Sequence, residues 1–320
     1  MVNPFPPFDF TLSPAQFGIF IIVLLAMVAG AIWIYFRRHR DIRMEAESLP
    51  QFKEVLGFKL HYTVQGKGEK ILLLHGIGAQ IYSWRRLVPL LSRNFTVIAL
   101  DLPGFGLSSK LTSEKYGLDE QCERIEEFTR QMGISRTRLI GSSMGGAIAL
   151  ELACRNPKQF FQVVCISPAT SRHLLPAKVY RLSWASGGLQ YLVTPTFVSG
   201  ILKKVVNRKE LRTPSAVAQY LSPYLRQPQA VGSFLLASRL LTDPRLETNP
   251  GRVKVPVLYL WGAKDKIIPL RYLRKLQKDW GEKILALTHS KGGHHLMEDE
   301  PEWVNKACTD FFLDHEKLGR

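Results

Sequence analysis

Cysteine is scarce in this sequence, and its few cysteines lack the spacing of a metal or redox site. No C-x-x-C pair and no zinc-ligand spacing occurs among the four, Cys122, Cys154, Cys165 and Cys308. A chain of 320 residues can bury a substantial core without disulfide staples. We therefore expect four reduced, mostly buried thiols, which favours a reducing compartment for the globular part. No motif implies a metal ion or an organic cofactor.

Internal repeats and low-complexity tracts are absent from the sequence, and acidic residues are few. There are 27 Asp and Glu against 43 Lys and Arg, which gives a formal net charge of +16. Hydrophobic residues make up 46% and charged residues 22%, a composition that excludes a wholly disordered chain. The length fits one large domain with an elaboration better than two independent domains.

Charged side chains are missing altogether from residues 17–36, which read FGIFIIVLLAMVAGAIWIYF. A helix of this length spans about 30 Å, the thickness of the hydrocarbon core of a bilayer. Trp33 and Tyr35 lie near one end, where aromatic side chains favour the interface between lipid and water. We therefore predict a single transmembrane helix at 17–36.

Positive charge is distributed unequally around this segment. Residues 1–16 contain no Lys or Arg, whereas arginines follow the segment at positions 37, 38, 40 and 43. The positive-inside rule predicts an extracytoplasmic tail at 1–16, a basic juxtamembrane linker at 37–51 and a globular part on the cytoplasmic side. A cleaved signal peptide is the competing interpretation, with a cleavage site near Ala31, although such a peptide carries its positive charge before the apolar stretch. A buried helix of a soluble core rarely runs this far without a polar face.

From about residue 52, short β-rich runs alternate with helical segments, a pattern typical of an α/β protein with a doubly wound, mostly parallel sheet. The predicted strands are 58–64, 70–74, 95–100, 137–141, 162–166, 255–261 and 283–287. The predicted helices between them are 119–132, 145–155, 271–280 and 301–315. The central strands are almost continuously apolar, as expected for strands that are covered on both faces.

One long interval, 170–254, interrupts the alternation, and its pattern predicts helices around 177–192, 197–206, 215–225 and 229–241. We assign it to an inserted cap over the carboxyl edge of the sheet, where open α/β sheets bind ligands. Residues 52–169 and 255–320 then form the core. The cap contains 13 Lys and Arg but three acidic residues, so it carries +10 of the net charge.

The motif G-x-S-x-G occurs at 141–145 (GSSMG), directly after an apolar strand and directly before a helix. A nucleophile on a sharp strand-to-helix turn has a strained backbone, and side chains two residues to either side would collide. A further glycine, Gly146, lets the helix pack closely. We therefore predict Ser143 as a nucleophile.

A nucleophilic serine needs a base, and the base needs an acid that orients it. Asp265 follows an apolar strand in VPVLYLWGAKDKIIP, and His294 lies in SKGGHHLMEDEPEW just before the final helix. The order Ser, Asp, His is the one that this strand–turn–helix motif requires. His295 is an alternative base, but Gly293 favours His294 because it allows the imidazole to approach the sheet edge. The acids at 298–300 are expected near the start of the last helix, where negative charge is favourable.

The oxyanion of such a reaction needs backbone donors. His75-Gly76-Ile77-Gly78 ends a predicted strand, so that the N–H of Ile77 can meet the N–H of Met144, the residue after the nucleophile. We predict these two N–H groups as the oxyanion hole. His75 itself is expected to shape the loop rather than to take part in catalysis.

Read together, LLLHGIG, VIALDLPGFGLSS, LIGSSMGGAIALELA, LYLWGAKDKIIP and GGHHLMEDEPEWVN resemble the successive signatures of the α/β-hydrolase superfamily. The resemblance covers residues 52–313 apart from the cap. The predicted anchor ahead of the GSSMGG elbow resembles the membrane-bound monoacylglycerol-lipase-like branch. The resemblance implies an α/β-hydrolase fold and a serine esterase that cleaves lipid esters such as monoacylglycerols, with Ser143, Asp265 and His294 as its triad.

Other activities share these motifs. Haloalkane dehalogenases and epoxide hydrolases carry Asp at the elbow, so Ser143 excludes them. Carbon–carbon bond hydrolases of aromatic degradation share the S-M-G-G elbow and cofactor-free haloperoxidases share the triad, so both stay open. An esterase of other small molecules with the same fold is a further alternative. A non-catalytic scaffold is a third hypothesis, against which the complete set of motifs counts.

The basic cap suggests a partner. We expect it to contact membrane lipids and to favour anionic ones, because each Lys or Arg near an anionic leaflet contributes about 1 kcal/mol. The predicted contacts are Lys203, Lys204, Arg208, Lys209 and Arg212. A solvated basic surface without a partner is the competing interpretation. A basic patch can also indicate nucleic-acid binding, but no motif for nucleic-acid recognition supports that interpretation here.

Overall fold

The computed structural model describes residues 50–113, 115–172, 174, 179–227 and 229–317, which lie within one compact unit spanning 49–320. The predicted tail at 1–16, the predicted transmembrane helix at 17–36 and nearly all of the predicted linker at 37–51 lie outside the described residues. Within the described ranges, no helix combines the length and the hydropathy needed to cross a bilayer.

A single sheet organises the described chain. Its strands are β1 (Gln51–Val55), β2 (Phe58–Gln65), β3 (Lys70–Leu74), β4 (Thr96–Leu100), β5 (Thr137–Ser142), β6 (Phe160–Ile166), β7 (Val257–Gly262) and β8 (Leu285–His289). Their order in the sheet is β1-β2-β4-β3-β5-β6-β7-β8. The β1–β2 and β2–β4 pairs are antiparallel, and all later pairs are parallel. The carboxyl ends of β3 and β5–β8 therefore share one edge.

Continuous apolar sequence in the central strands is explained by burial on both faces. In β3, Ile71 and Leu73 pack into the core on one face of the sheet, whereas Leu72 and Leu74 pack into the core on the other. Successive side chains of a strand point to opposite faces, so a strand between two cores must be apolar at every position.

Helices cover these two faces and form the cap. In chain order they are α1 (Val88–Leu91), α2 (Leu118–Gln131), α3 (Met144–Arg155), α4 (Ser186–Leu189), α5 (Pro195–Val205), α6 (Pro214–Arg226), α7 (Ala230–Ala237), α8 (Arg245–Arg252), α9 (Arg271–Trp280), α10 (Leu296–Asp299) and α11 (Pro301–Lys317). Short 3₁₀ segments occur at Ile81–Trp84, Val179–Ala185, Gln190–Leu192, Lys209–Leu211, Ser238–Thr242 and Gly281–Lys283.

The interval predicted as a cap contains α4–α8 and, in its described part, no β-strand. Two of its helices begin at Thr-Pro pairs: Thr194 accepts a hydrogen bond from the N–H of Phe197, and Thr213 accepts one from the N–H of Ala216. A threonine N-cap followed by proline at the first helical position is a strong start signal. The predicted helix at 177–192 is wrong as one element, because its described part consists of two 3₁₀ segments flanking the short α4, which contains the helix-weakening pair Gly187-Gly188.

Three further differences from the sequence prediction have local causes. β1 was not predicted, because its sequence QFKEV carries two charges and its side chains are mostly exposed or half-buried at the sheet edge. β8 begins at Leu285 rather than 283, because residues 281–283 form a 3₁₀ turn that starts at Gly281 with φ +56°. α8 was missed because it contains Pro250 and Gly251.

Candidate active site

Ser143 stands on a sharp turn between β5 and α3. Its backbone has φ 54° and ψ −117°, a conformation that residues with a side chain rarely adopt. The turn is held from both sides, since the N–H of Ser143 donates to the carbonyl of Ile166 at 2.9 Å and the N–H of Ala169 donates to the carbonyl of Ser143 at 3.0 Å. The residue is only 8% exposed. This is the strained strand-to-helix elbow that the motif predicts.

The glycines of the motif are required by close packing. A Cβ atom at Gly141 would lie 2.6 Å from the carbonyl carbon of Gly145, and one at Gly145 would lie 2.6 Å from the carbonyl oxygen of His75. Real side chains cannot come this close to backbone atoms. The small residues at the two positions therefore make the turn possible.

His294 and Asp265 form a buried pair. His294 Nδ1 lies 2.8 Å from Asp265 Oδ2, and the two residues are 3% and 6% exposed. Because a carboxylate only accepts, Nδ1 donates, and Nε2 is the ring nitrogen that can take up a proton. The other carboxylate oxygen accepts the N–H groups of Ile267 and Ile268, both at 2.8 Å.

The pKa of Asp265 is lowered from its ordinary value. Burial works to raise this pKa, but the interaction with His294 and the hydrogen bonds from the N–H groups of Ile268 and Ile267 stabilise the charged form more strongly. Asp265 is therefore a carboxylate at neutral pH, and it orients the imidazole of His294.

The sheet brings these three predicted residues to one edge. Ser143 follows β5, Asp265 follows β7 and His294 follows β8. In the sheet order β5-β6-β7-β8 each strand is parallel to the next, so their carboxyl ends lie at the same edge. The loops of Asp265 and His294 are also bound together, since the N–H of Lys264 donates to the carbonyl of Gly292 at 2.9 Å.

The two predicted oxyanion donors belong to the loop after β3 and to the first residue of α3. Met144 is the first residue of α3, so its N–H has no acceptor within the helix. Gly76, just before Ile77, packs against Ser143: a Cβ atom there would lie 3.1 Å from the Cβ and 3.6 Å from the Oγ of Ser143. The loop after β3 thus reaches the side chain of Ser143.

His75 is fully buried and both of its ring nitrogens are engaged. Nδ1 lies 2.8 Å from the carbonyl oxygen of Gly76, and Nε2 accepts the N–H of Leu102 at 2.9 Å. Burial lowers the pKa of His75, in keeping with a neutral ring. The ring connects the loop after β3 to the loop after β4, as expected for a structural residue.

The cap lies against the oxyanion loop. A Cβ atom at Gly78 would lie 3.1 Å from the Phe234 ring and 3.4 Å from the Tyr224 hydroxyl, side chains that come from α7 and α6. Gln80 also donates from its side chain to the carbonyl of Gln219 at 2.7 Å. Sequence reasoning missed Tyr224 and Phe234, because cap side chains at helical spacing give no signal of which ones face the site.

The acidic run 298–300 lies directly before α11, as predicted, and its side chains are also bound within the protein. Asp299 is buried and accepts the N–H groups of Gly293, Asn207 and Arg208 at 2.7, 2.9 and 2.9 Å. Glu300 forms an ion pair with Arg208 at 3.1 Å, and Glu298 pairs with His295 at 2.8 Å. These acids attach the cap to the loop of His294. This attachment is additional to any favourable interaction of their charge with the start of α11. Their cap partners, Asn207 and Arg208, are distant in sequence, so no local pattern reveals them.

Comparison with known proteins agrees with this architecture. The family described as alpha/beta hydrolase fold matches residues 70–301. The uncharacterised hydrolase YugF of Bacillus subtilis is 26% identical over 268 residues, which cover 78% of this chain and 92% of that protein. The 2-hydroxy-6-oxo-6-phenylhexa-2,4-dienoate hydrolase of Comamonas testosteroni is 23% identical over 269 residues, 81% of this chain and 93% of that protein.

Solved structures show the same fold. The crystal structure of a membrane phospholipase A, described as a bacterial virulence factor, matches with a TM-score of 0.69 and 26% identity, and the match covers 93% of this chain and 98% of that one. A meta-cleavage product hydrolase, CumD, matches with a TM-score of 0.69 and 21% identity over 82% of this chain and 98% of that one. With its parallel sheet, strained elbow serine and matched family signature, this chain belongs to the α/β-hydrolase fold family.

Proposed function

We propose that this chain is a serine hydrolase of carboxylic esters, with Ser143 as nucleophile, His294 as base and Asp265 as the acid that orients the base. The observation that carries the proposal is the buried His294–Asp265 pair, at 2.8 Å, on the sheet edge that also bears the strained Ser143. A hydroxyl on an elbow, an imidazole oriented by a carboxylate and two backbone donors are the parts that acyl transfer needs.

The reaction follows from these positions. Ser143 Oγ attacks the ester carbonyl carbon while its proton passes to Nε2 of His294, and the N–H groups of Ile77 and Met144 stabilise the oxyanion. The intermediate then expels the alcohol, which takes the proton from His294 and leaves an acyl-serine. Water attacks this acyl group with the same help from His294, which releases the acid and restores Ser143.

For the substrate we propose lipid esters such as monoacylglycerols. Support comes from the 26% identity, over 93% of this chain, to a protein described as a membrane phospholipase A, and from the predicted membrane anchor. The second candidate is a carbon–carbon bond hydrolase. It is favoured by the similarity to the dienoate hydrolase of Comamonas testosteroni and by the S-M-G-G elbow that such enzymes share.

A substrate panel separates the two candidates. We expect kcat/KM for monoacylglycerols to exceed that for 2-hydroxy-6-oxo-6-phenylhexa-2,4-dienoate by at least about tenfold, which corresponds to about 1.4 kcal/mol of transition-state stabilisation. Each activity is compared with that of the Ser143→Ala variant to remove background hydrolysis. Cleavage of the dienoate without cleavage of any ester would instead assign carbon–carbon bond hydrolysis.

We also propose that the cap contacts an anionic lipid surface. Large apolar side chains of the cap are exposed, foremost Trp184 at 84%, and the others are Leu182, Tyr191, Leu192, Phe197 and Ile201. On α5, Phe197, Ile201 and Lys204 are spaced i, i+4 and i+7, so an apolar stripe and a cation share the exposed face.

Of the five basic residues predicted to contact lipid, three are exposed and two are engaged within the protein. Lys203, Lys204 and Lys209 are exposed. Arg208 pairs with Glu300, and Arg212 donates to the carbonyl of Asn207 at 2.6 Å. The proposal therefore rests on the three lysines together with the apolar side chains.

Binding to vesicles tests this surface. A chain lacking residues 1–43 is expected to bind anionic vesicles more tightly than neutral ones, with an affinity that falls as salt screens the charges. Changing Lys203, Lys204 and Lys209 to Gln should weaken this binding about a hundredfold, since each lysine near the surface contributes about 1 kcal/mol. The matched control changes three exposed lysines of the core, Lys67, Lys158 and Lys278. Equal binding to both vesicle types would show a solvated basic surface.

A further inference from the structure

The mechanism above does not use Glu298, a buried carboxylate near the base. Glu298, in α10, is 1% exposed and binds three side chains. Its Oε1 lies 2.8 Å from His295 Nδ1 and accepts the hydroxyl of Tyr220, and its Oε2 lies 2.6 Å from Arg85 Nη1. Burying a carboxylate is costly, and the cost is offset here by an ion pair and two hydrogen bonds.

The partners of Glu298 come from three separate parts of the fold. Tyr220 belongs to α6 of the cap, Arg85 follows the 3₁₀ segment Ile81–Trp84 of the core, and His295 adjoins the base. Arg85 also lies over the Tyr82 ring at 4.0 Å, and that ring packs edge-on against Tyr220 at 5.5 Å. The carboxylate is thus the point at which cap, core and the loop of the base are joined.

His295 transmits this arrangement to the base. The rings of His294 and His295 are stacked, with centroids 5.9 Å apart and planes 29° from parallel. The N–H of His295 donates to the carbonyl of Val205, the last residue of α5, at 2.7 Å. The imidazole of His294 therefore lies beside a ring whose position depends on Glu298 and on the cap.

The pKa shifts of Glu298 and Tyr220 favour the protonation states in which the hydroxyl of Tyr220 donates to the carboxylate of Glu298. Burial works to raise the pKa of Glu298, but His295, Arg85 and the Tyr220 hydroxyl together hold it below its ordinary value. Burial and the adjacent carboxylate raise the pKa of Tyr220 well above its ordinary value, so its hydroxyl keeps the proton that it donates.

We infer that Glu298 is a positioning residue that couples the cap to the base: by holding Tyr220 and His295 together, it makes the position of α6 set the position of the His294 ring. This inference rests on the proposed role of His294. Because misplacement of a reacting group by about 1 Å costs up to about a hundredfold in rate, loosening the connection should act on kcat.

The test weakens the connection by two small changes. Tyr220→Phe deletes one hydroxyl and Glu298→Gln keeps the shape of the side chain without its charge. With a short soluble ester, we expect each variant to lower kcat about tenfold with KM within about twofold, and to slow labelling of Ser143 by a fluorophosphonate in the same proportion. The double variant should be no slower than Glu298→Gln alone, because both changes break the same connection.

The control is Tyr62→Phe, which deletes the hydroxyl of a half-buried tyrosine in β2 that packs on Phe128 and should leave kcat unchanged. If Tyr220→Phe lowers the unfolding midpoint but retains the wild-type kcat, the role is structural and the inference is wrong. The Tyr220→Phe variant alone still tests the inference if Glu298→Gln does not fold. Failure of the proposed function is a different result, in which His294→Ala leaves ester hydrolysis intact.

Discussion

Replacing Ser143 by alanine is expected to abolish ester hydrolysis, with a loss in kcat of about a millionfold, as in serine hydrolases that lose their nucleophile. A fluorophosphonate should label the wild-type chain and leave the variant unlabelled. The physical reason is that, in the proposed mechanism, Ser143 Oγ forms the covalent bond to the acyl group. The fold should survive, since the change removes one atom from a residue that is 8% exposed.

Ser142→Ala is the matched control, because it makes the same change one residue earlier. The Ser142 hydroxyl is buried, and it has no hydrogen-bond partner within the described part of the chain. Its removal should therefore cost no hydrogen bond and leave labelling and turnover near the wild-type level. Labelling that persists in Ser143→Ala would place the nucleophile elsewhere.

The two adjacent histidines are expected to respond very differently to substitution. His294→Ala should lower kcat by about four orders of magnitude or more, because the ring paired with Asp265 takes the proton of Ser143. His295→Ala should cost about tenfold to a hundredfold, because this ring only supports its neighbour. The comparison is measured as kcat with a soluble ester, and each variant serves as the other's control.

Asp265→Asn provides an independent check on the same pair. Loss of the carboxylate that accepts from His294 Nδ1 should lower kcat by about four orders of magnitude, because the imidazole then adopts the wrong tautomer. If His295→Ala proved the more damaging histidine change and Asp265→Asn had little effect, the base would be His295 with Glu298 as its acid. That outcome would also remove the coupling inferred for Glu298.

The sheet could be predicted from sequence because its central strands leave little freedom. Runs such as ILLL and VIAL must be buried on both faces, and the GSSMG turn between an apolar strand and a helix has few other uses. The same logic fails at the edges. β1 reads as a charged loop, and the start of β8 depends on a turn at Gly281 whose conformation no hydrophobic pattern encodes.

The surroundings of the site could not be predicted, because they depend on contacts between distant segments. Glu298 meets Arg85 and Tyr220, and Asp299 meets the backbone of Asn207. A run of three acids before a helix is normally solvated, so the sequence does not indicate that these side chains are bound by the cap. The transmembrane helix at 17–36 and the cytoplasmic orientation stay predictions.

The strained backbone of Ser143 has a consequence for laboratory evolution of this protein. A non-glycine residue at φ 54° and ψ −117° costs about 1–3 kcal/mol, and glycine adopts such a conformation without that cost. Selection for folding or heat resistance alone would therefore reward loss of the serine side chain, the group on which the proposed chemistry depends. At this position stability and activity select opposite residues, so a library screened only for soluble expression would drift toward inactive chains.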